Sequence, residues 1–446
     1  MSAPVRAALG HRWRALGREL VKVRDLLAPE RHDQPAGRRA TGRSVLAVTT
    51  LRRVGPVGAN THIAQTVDLL EQRGRRVEVV SLDSWVRPFG FLLLVPAFLL
   101  RRNRLAFRAG ILVDRSLTRL SVELAVRRRI RTDAPTVIYA QDPRSAAAAL
   151  RARGRLPIPV VMVVHFNESE AEELINEGTV RPGGYADRSV RRSEAHLLPR
   201  LDGLVLVSDF MRRHLVDAVP AACRVPSAII PNFLADRDAP PDEVLRDCIS
   251  IGYLVERKNH AFLLSALAAA NRLGHRYTLT VVGGGPEHER LVALAERLGV
   301  ADQVSFLGQR FDVDPLLREH RLYLHSAAME NCPFAILEAF RAGRPVLTSQ
   351  VGGIPELIGE EGAGRFWDHT DPEAGARARI AMLEDDAALD QAGKEARIRF
   401  ETRYDADVVG DELITFLDSV SPGPGPGHLS PLIRPPLAPD LASPRR

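Results

Sequence analysis

The sequence predicts an α/β protein with two doubly wound domains that face each other across a cleft. Its 446 residues are too many for one ordinary domain, and 45% hydrophobic with 26% charged residues is a globular composition. Short apolar, β-branched runs alternate with helical stretches, and this alternation restarts after the polar segment 235–247. Such alternation is typical of parallel sheets covered by helices on both faces, and ligands bind such sheets beyond the carboxyl ends of the strands.

Eleven strands are predicted in two series. They cover residues 44–50, 76–82, 135–141, 160–166, 203–208 and 228–232, then 248–254, 278–284, 304–308, 322–326 and 345–349. The expected organisation is an N-terminal extension (1–43), a first Rossmann-like domain (44–234), a linker (235–247), a second Rossmann-like domain (248–394), closing helices (395–420) and a disordered proline-rich tail (421–446).

The basic charge of the chain lies at its N-terminus. Residues 1–43 contain ten Lys and Arg against four Asp and Glu, which accounts for the whole net charge of +6. The rest is neutral, so the high pI does not indicate a nucleic-acid-binding protein. Apolar residues from Val5 to Leu27 recur at steps of three and four, which predicts an amphipathic helix. This helix either packs on the body or on a partner, or lies on an anionic membrane surface.

Two further features bear on where the protein works. Residues 85–102 contain an apolar run flanked by arginines, which is too short to span a membrane. The run is either a buried part of the first domain or an interfacial segment that reaches a lipid-linked acceptor. Cys223, Cys248 and Cys332 share no close spacing, which argues against a disulfide framework or a zinc site and fits a reducing compartment. We therefore expect a cytoplasmic protein, with peripheral attachment to the inner face of the cell membrane as the alternative.

The stretch MENCPFAILEAFRAG, residues 329–343, predicts a helix with a defined start and end. Pro333 suits the first helical position, where a missing N–H costs nothing, and Asn331 or Cys332 suits the cap. Gly343 suits the left-handed position that closes a helix. Residues 333–342 are therefore predicted to form a helix, with Glu338 about a turn and a half inside it.

The start of this helix is a candidate anion site. The free backbone N–H groups near Phe334 and Ala335 and the helix dipole suit a phosphate group. Glu330 precedes the helix and Glu338 lies inside it, and carboxylates at both places can accept hydrogen bonds from hydroxyl groups. The pattern suggests a sugar on one side of the phosphate and a ribose on the other, although two solvated glutamates would give the same spacing.

This stretch resembles the nucleotide-binding segment of the retaining GT-B glycosyltransferases of the group 1 family, family 4 type. In that family the first glutamate lies beside the donor sugar and the second holds the nucleotide ribose, which implies these roles for Glu330 and Glu338. The segment VVGGGPEHERL, residues 281–291, resembles the family's strand, glycine turn and helix, with Gly283 and Gly285 in the turn. Residues 230–233 and 207–215 also resemble family segments in the same chain order.

A cationic segment follows the first strand of the second domain. GYLVERKNH, residues 252–260, resembles the place where the family puts an Arg and, five residues on, a Lys on the donor diphosphate. Lys258 is in register with the Lys, but Tyr253 stands at the Arg position. The loss of one charge-assisted hydrogen bond is worth about 1.5–3 kcal/mol. Either donor binding is weaker here, or Arg257 takes the place of the missing charge.

The first domain offers weaker signals. Gly55 and Gly58 lie in the loop after the first strand, which resembles the family's glycine-bearing loop near the donor phosphate and acceptor. His165 ends a buried-looking strand at the predicted cleft, and the family's first-domain histidine contacts the donor sugar near the reacting carbon. The resemblance thus implies catalytic roles for His165, Glu330 and Lys258.

No metal is expected at the predicted site. Asp312 and Asp314 form a D-x-D pattern, but Asp314 precedes Pro315 and is predicted to cap a helix. In GT-B enzymes Lys, Arg and the helix dipole neutralise the diphosphate. The expected cofactor set is therefore empty, and the nucleotide-diphosphate sugar is a substrate.

The resemblance therefore implies a retaining glycosyltransferase of the hexosyl- or N-acetylhexosaminyl-transferring kind. It would move a sugar from a nucleotide-diphosphate donor to a glycan, lipid-linked or small-molecule acceptor, with retention, in bacterial surface polysaccharide or glycoconjugate synthesis. Two alternatives stay open. A nucleotide-sugar epimerase can use the same architecture, and a membrane-attached, non-catalytic nucleotide-sugar-binding protein would be consistent with Tyr253.

Overall fold

The protein consists of two lobes, each built on a six-stranded parallel sheet. The predicted fold of two doubly wound α/β domains is therefore confirmed. A computed structural model describes residues 43–51, 58–81, 107–166, 169–176, 178–237, 244, 246–360 and 362–421, without the side chains of 107–115 and 176. The predictions for the extension up to residue 42, for Gly55, for residues 85–102 and for the tail from residue 422 lie outside the described residues.

The sheet of the first lobe has the strand order β2-β1-β3-β4-β5-β6. Its strands are β1 Ser44–Val48, β2 Arg76–Val80, β3 Val137–Ala140, β4 Val160–Val164, β5 Gly203–Leu206 and β6 Ser227–Ile229. Every residue of β3, β4 and β5 is buried. These strands have apolar residues on both faces because helices cover both sides of the sheet.

Helices follow the strands of the first lobe. They are α1 Gly58–Gln72, α2 Phe107–Thr132, α3 Pro143–Arg153, α4 Glu170–Asn176, α5 Tyr185–Leu197 and α6 Asp209–Ala218. The Asp142 carboxylate accepts the N–H groups of Arg144 and Ser145 at 3.0 and 2.9 Å, and Pro143 is the first helical residue of α3. The same carboxylate accepts the N–H of Thr50 at 2.8 Å, which fixes the start of α3 to the end of β1.

The sheet of the second lobe has the order β12-β11-β10-β7-β8-β9. Its strands are β7 Arg246–Ile251, β8 Leu279–Val282, β9 Val304–Phe306, β10 His320–His325, β11 Val346–Ser349 and β12 Gly364–Trp367. The sequence predictions did not include β12. Its residues GRFW contain a glycine and an arginine and no β-branched residue, and the strand forms because its backbone completes the edge beside β11.

The second lobe and the return of the chain contain eight described α-helices. They are α7 His260–Arg272, α8 His288–Arg297, α9 Val313–Arg318, α10 Phe334–Arg341, α11 Ile354–Ile358, α12 Pro372–Leu383, α13 Asp386–Arg403 and α14 Ala406–Val420. The predicted closing helices begin earlier than residue 395, because Asp385 caps α13 by accepting the N–H of Ala388 at 3.0 Å. No described helix is long and apolar enough to cross a membrane.

The chain crosses between the lobes at two places that lie side by side. Leu234 lies at the first crossing, and Tyr404 and Ala406 lie at the second. The Leu234 N–H donates to the Tyr404 carbonyl at 3.1 Å, and the Ala406 N–H donates to the Leu234 carbonyl at 2.9 Å. Helix α14 then packs on α1 of the first lobe, where a Cβ on Gly410 would lie 2.4 Å from Leu69. The two crossings therefore form one paired hinge.

Two local predictions need correction. Pro333 is the cap of α10 and not its first helical residue, since the helix begins at Phe334. Asp312, not Asp314, is the cap residue of α9. Asp314 lies inside that helix, and its carboxylate pairs with Arg341 and, at 2.9 Å, with Arg237. The ion pairs of Asp314 thus replace the predicted capping role.

Candidate active site

The candidate site lies at the carboxyl ends of β7 and β10. The strand order of the second sheet reverses between these two neighbouring strands. From β7 the chain continues outward to β8 and β9 on one side, and from β10 it continues outward to β11 and β12 on the other. Ligands of doubly wound sheets bind at such a switch point. The loop after β7 (252–259) carries Arg257 and Lys258, and the loop after β10 (326–333) carries Glu330.

Glu330, Arg257 and Lys258 form a partly buried ion cluster at this point. Arg257 donates from Nη1 to Glu330 Oε1 at 2.7 Å and to the Met329 carbonyl at 2.9 Å. The Lys258 ammonium group pairs with the same Oε1, and the Glu330 side chain is 11% exposed. Burial alone would raise the pKa of Glu330, but the positive charges of Lys258 and Arg257 outweigh it and bring the pKa to about 2. Glu330 is therefore a permanent carboxylate.

Lysine is rare in this chain. Of 61 basic residues only Lys22, Lys258 and Lys394 are lysines, and the others are arginines. An ammonium group is a compact, strongly hydrated charge on a flexible stem, whereas arginine binds in a planar fork. A lysine at the switch point of a chain that otherwise uses arginine is a compositional signal that the sequence analysis did not use.

The start of α10 lies next to this cluster. Phe334 and Ala335 are half-buried, and no described residue accepts a hydrogen bond from either amide N–H. Gly343 has φ +64° just past the end of the helix, the left-handed conformation that the sequence predicts there. The helix start thus offers two free donors together with the positive end of the helix dipole.

Glu338 lies on α10, a turn beyond these amides. Burial raises its pKa to about 7, since the nearby Arg341 compensates only in part. Arg341 binds Asp314 and donates to the Ala235 carbonyl at 2.9 Å instead. Among the described residues the Glu338 carboxyl group has neither a hydrogen bond nor an ion pair, so it is free to bind hydroxyl groups of a ligand.

Gly283 and Gly285 form the turn after β8. Their φ angles are +148° and +156°, which favour glycine. A Cβ on Gly283 would lie 1.8 Å from the Gly252 carbonyl oxygen, and one on Gly285 would lie 2.4 Å from that of Leu254. The turn therefore packs directly on the loop that carries Arg257 and Lys258, and it positions that loop.

The first lobe contributes Gly58 and His165. A Cβ on Gly58, the first residue of α1, would lie 3.4 Å from the Phe334 ring, so the starts of α1 and α10 face each other. His165 Nε2 lies 3.3 Å from the Gln141 side-chain oxygen. Burial, with the neighbouring His62, lowers the pKa of His165 well below its usual value, so the ring is neutral at pH 7.

A hydrogen bond between the lobes places His165 near Glu330. Asn331, which follows Glu330, donates from Nδ2 to the carbonyl of Phe166, which follows His165, at 3.0 Å. Ser208 of the first lobe also donates to the Asn331 side-chain oxygen at 3.0 Å. The strand end that carries His165 and the loop that carries Glu330 therefore meet in the cleft.

The sequence analysis missed a buried network behind His165. The His62 ring is T-shaped against His165 with centroids 4.5 Å apart, and its nitrogens contact the Asn232 side-chain oxygen at 3.1 Å and the Tyr139 hydroxyl at 3.2 Å. Asn232 also donates to the Cys332 carbonyl at 2.6 Å, just before α10. Asn232 lies in the IPNF segment that the resemblance had marked, which was the available signal for it.

Comparisons with known proteins identify the family of the chain. The family described as Glycosyl transferases group 1 matches residues 236–399, and the one described as Glycosyltransferase Family 4 matches residues 56–235. The chain is a group 1, family 4-type glycosyltransferase. The adjoining matches cover both lobes, including every described residue of the ion cluster, the glycine turn and the start of α10.

Several curated relatives of this glycosyltransferase are enzymes of bacterial glycolipid and polysaccharide synthesis. It is 24% identical over 388 residues to a phosphatidyl-myo-inositol mannosyltransferase of Mycobacterium leprae, a match that covers 82% of this chain and 94% of the relative. It is 26% identical over 286 residues to a glycogen synthase of Mycobacterium tuberculosis, a match that covers 62% of this chain and 66% of the relative. An N-acetyl-alpha-D-glucosaminyl L-malate synthase of Bacillus anthracis is 34% identical over 119 residues, 27% and 31% of the two chains.

Solved structures share the fold of this glycosyltransferase. HepE of Anabaena, crystallised with UDP, has a TM-score of 0.62 at 18% identity over 84% of this chain and 100% of its own. The sucrose-phosphate synthase of Thermosynechococcus elongatus has a TM-score of 0.66 at 16% identity over 84% and 98%. The enzyme therefore has the GT-B fold.

Tyr253, which stands where the resemblance predicts an Arg, is 50% exposed after β7. Arg257, which lies beside Lys258 in the same loop, brings a second positive charge to the cluster. Among the described residues no group of His, Cys, Asp and Glu side chains could hold a metal ion. The positive charge that the described part of the site offers to an anion comes from Arg257, Lys258 and the α10 amides.

Proposed function

We propose that this glycosyltransferase transfers a sugar from a nucleotide-diphosphate sugar to a glycan, lipid-linked or small-molecule acceptor, with retention of the anomeric configuration. The observation that carries the proposal is the adjacency of Lys258, Arg257 and the unbonded amides of Phe334 and Ala335 at one switch point. Together they suit a leaving group with two or more negative charges, and such preorganised donors are usually the largest contribution to a transfer of this kind.

The donor is oriented by two carboxyl groups. Glu338, half-buried on α10, would accept hydrogen bonds from the ribose, and Glu330 would face the donor sugar across from His165. In the reaction the bond from the anomeric carbon to the diphosphate breaks while the acceptor oxygen bonds to that carbon. The acceptor proton passes to the departing diphosphate, and Lys258 and Arg257 neutralise the charge that develops there.

The comparisons favour a UDP-type donor and a bacterial surface or storage glycan as the acceptor class. A structural neighbour was crystallised with UDP, and relatives bear the names of a mannosyltransferase of phosphatidyl-myo-inositol and of a glycogen synthase. A cytoplasmic site of action, peripheral on the membrane, and independence of metal ions belong to the same proposal. The predicted amphipathic extension supports the membrane contact.

The test begins with thermal-shift screening of uridine, guanosine, adenosine and thymidine diphosphates and their sugars. Purified enzyme is then incubated with the stabilising donor, and release of the nucleoside diphosphate is measured. Lys258→Ala and Glu338→Ala should each lower this release at least tenfold. Lys394→Ala, which removes an exposed lysine from α13, is the matched control and should leave the rate unchanged. Equal rates in all four proteins would defeat the site assignment.

The two alternative functions predict different results. A nucleotide-sugar epimerase would convert the donor to an isomer without any acceptor, which chromatography of the sugar nucleotides detects. A binding protein would be stabilised by a donor and would release no nucleoside diphosphate with any acceptor. Conversion that depends on an added acceptor distinguishes the proposed transferase from both.

A further inference from the structure

The ion cluster of the candidate site is already neutralised in part by its own glutamate. One carboxylate oxygen of Glu330 binds both Arg257, at 2.7 Å, and Lys258. The side chains of Glu330 and Lys258 are 11% and 17% exposed, so water screens their contact weakly, whereas Arg257 is 37% exposed and its contact is screened more. The two cations that suit a diphosphate are therefore engaged by an internal anion.

The backbone of Glu330 is held in place, so only its side chain can give way. The carbonyl of Glu330 accepts the N–H of Gly353 at 3.0 Å. A Cβ on Gly352 would lie 2.0 Å from the same oxygen, and one on Gly353 would lie 2.4 Å from the Asn331 carbonyl. The loop after β11 thus packs tightly against residues 330 and 331, whereas the Glu330 side chain is held by its two ion pairs.

We propose that Glu330 is a built-in competitor of the donor diphosphate. In the empty enzyme its carboxylate occupies Lys258 and Arg257; the diphosphate displaces it toward the donor sugar, and it returns to the cations when the sugar has left. This inference rests on the proposed function and adds to it a role for Glu330 in the release of the nucleoside diphosphate product.

The physical argument is a competition between two anions for the same cations. The diphosphate carries more charge and more acceptor atoms than a carboxylate, so it gains more from Lys258, Arg257 and the α10 amides. Its net affinity is lowered, however, by the free energy of separating Glu330 from both cations, of which Lys258 is the more buried. While the donor sugar is present, its hydroxyl groups give the displaced carboxylate new partners. After transfer this compensation is lost, which favours release.

The proposal predicts that Glu330→Gln strengthens diphosphate binding while it lowers the rate of sugar transfer. Glu330→Gln keeps the shape of the side chain and removes its charge, so a bare diphosphate no longer competes with a carboxylate. We expect inorganic pyrophosphate and UDP to bind this variant about tenfold more tightly than the wild type, since each ion pair lost to the ligand is a charge-assisted hydrogen bond. Sugar transfer should fall at the same time, and product release should become slower.

The measurement is isothermal titration calorimetry of the full chain with inorganic pyrophosphate and with UDP. Asp312→Asn is the charge-matched control, because it removes one exposed carboxylate of the same lobe that pairs with Arg310, and its pyrophosphate affinity should equal that of the wild type. Adding Lys258→Gln to Glu330→Gln should abolish the gain. Glu330→Asp, whose shorter side chain retracts from the cations, should bind with intermediate affinity and covers the case in which Glu330→Gln does not fold.

The outcomes separate this inference from the proposed function. Wild-type binding of UDP with equal or weaker binding by both Glu330 variants overturns the competitor role and leaves the transferase assignment intact. Absence of binding of any nucleoside diphosphate or of pyrophosphate to all the proteins overturns both. If pyrophosphate affinity rose as much in Asp312→Asn as in Glu330→Gln, the gain would come from the net charge of the protein alone, and this result would also overturn the inference.

Discussion

At the scale of single residues, His62 has a tautomer that its neighbours determine. Asn232 donates from its amide nitrogen to the Cys332 carbonyl, so its oxygen must accept the proton on Nδ1 of His62. Nε2 of His62 is then an acceptor for the Tyr139 hydroxyl, 3.2 Å away. One neutral ring therefore satisfies two buried groups of the first lobe, and Asn232 connects this network to the Cys332 carbonyl of the second lobe.

Asn232→Ala should destabilise the protein through this network. The substitution leaves the Cys332 carbonyl and the His62 N–H buried without partners, at a cost of about 1–3 kcal/mol for each group. Urea denaturation should show the loss as a lower midpoint. In a double-mutant cycle, His62→Ala combined with Asn232→Ala should cost less than the sum of the single changes, because the two residues share a hydrogen bond. Additive losses would contradict the shared network.

Glu338 should make nucleotide binding depend on pH. Its pKa of about 7 in the empty site, raised by burial, means that the carboxyl group is largely protonated at pH 6 and ionised at pH 8. Ribose hydroxyl groups bind the carboxylate better, so a nucleoside diphosphate should bind about tenfold more weakly at pH 6 than at pH 8. Calorimetry at both pH values tests this. Glu338→Gln is the reference, because any pH dependence of its binding comes from ionisation of the ligand and not of residue 338. An equal pH dependence in both proteins would exclude Glu338 as its source.

The local pattern of the sequence was enough to find some of these residues and not others. A short segment was enough to find Glu330 and Glu338, because they lie beside a recognisable helix start. Lys258 could be found in the same way, because it follows the end of a predicted strand. His62, Asn232 and Tyr139 come from three separate segments of the first lobe, and only the fold of that lobe brings them together. The roles of the predicted residues remain predictions that the experiments above test.

At the scale of elements, the turn after β8 illustrates what a pattern of glycines can mean. The sequence predicts a tight turn, and the turn indeed has φ angles that favour glycine at Gly283 and Gly285. The reason lies in the neighbouring loop, which a side chain at either position would displace. Strand β12 could not be predicted, since its pairing with β11 and not its own residues makes it a strand.

Gly283→Ala should disrupt the site through the loop after β7. The added Cβ would lie 1.8 Å from the Gly252 carbonyl oxygen, so the loop must move and Arg257 and Lys258 move with it. Pyrophosphate affinity should fall at least tenfold, as measured by calorimetry. Gly284→Ala is the matched control, because its Cβ would meet only ordinary contacts with Gln309 at 3.8 Å. Loss of binding in both variants, or in neither, would contradict this role of Gly283.

At the scale of the whole molecule, the alternation of strands and helices predicts the two parallel sheets, and the paired hinge at Leu234 and Ala406 required the structure. The lobes meet through buried polar contacts as well as through the hinge, among them Ser208 to Asn331 at 3.0 Å and Asn232 to Cys332. Glu356 of the second lobe also accepts the N–H groups of Asp209 and Phe210 at the start of α6, at 2.7 and 2.6 Å. These contacts join residues that are far apart in the sequence, so the local sequence pattern could not predict them.

Buried neutral histidines should make the enzyme sensitive to acid. Burial lowers the pKa of His62 and of His260 to about 4 and that of His325 to about 3, from the ordinary 6.5. Between pH 6.5 and about 4 the unfolded chain binds protons at these positions and the folded chain does not, so stability falls as pH falls through this range, by an amount on the order of 3 kcal/mol for each group. Glu338 opposes this trend, because its raised pKa makes the folded state less stable as pH rises from 4.5 to about 7.

The histidines should outweigh Glu338, and the urea midpoint should therefore be lower at pH 5 than at pH 7.5. His260→Leu should reduce the difference, because it removes one group that must stay neutral and whose Nδ1 is buried without a partner among the described residues. His196→Leu, at an exposed position on α5, is the matched control and should keep the full difference. A midpoint that rises on acidification, or an equal difference in all three proteins, would show that the buried rings do not control the acid stability of the fold.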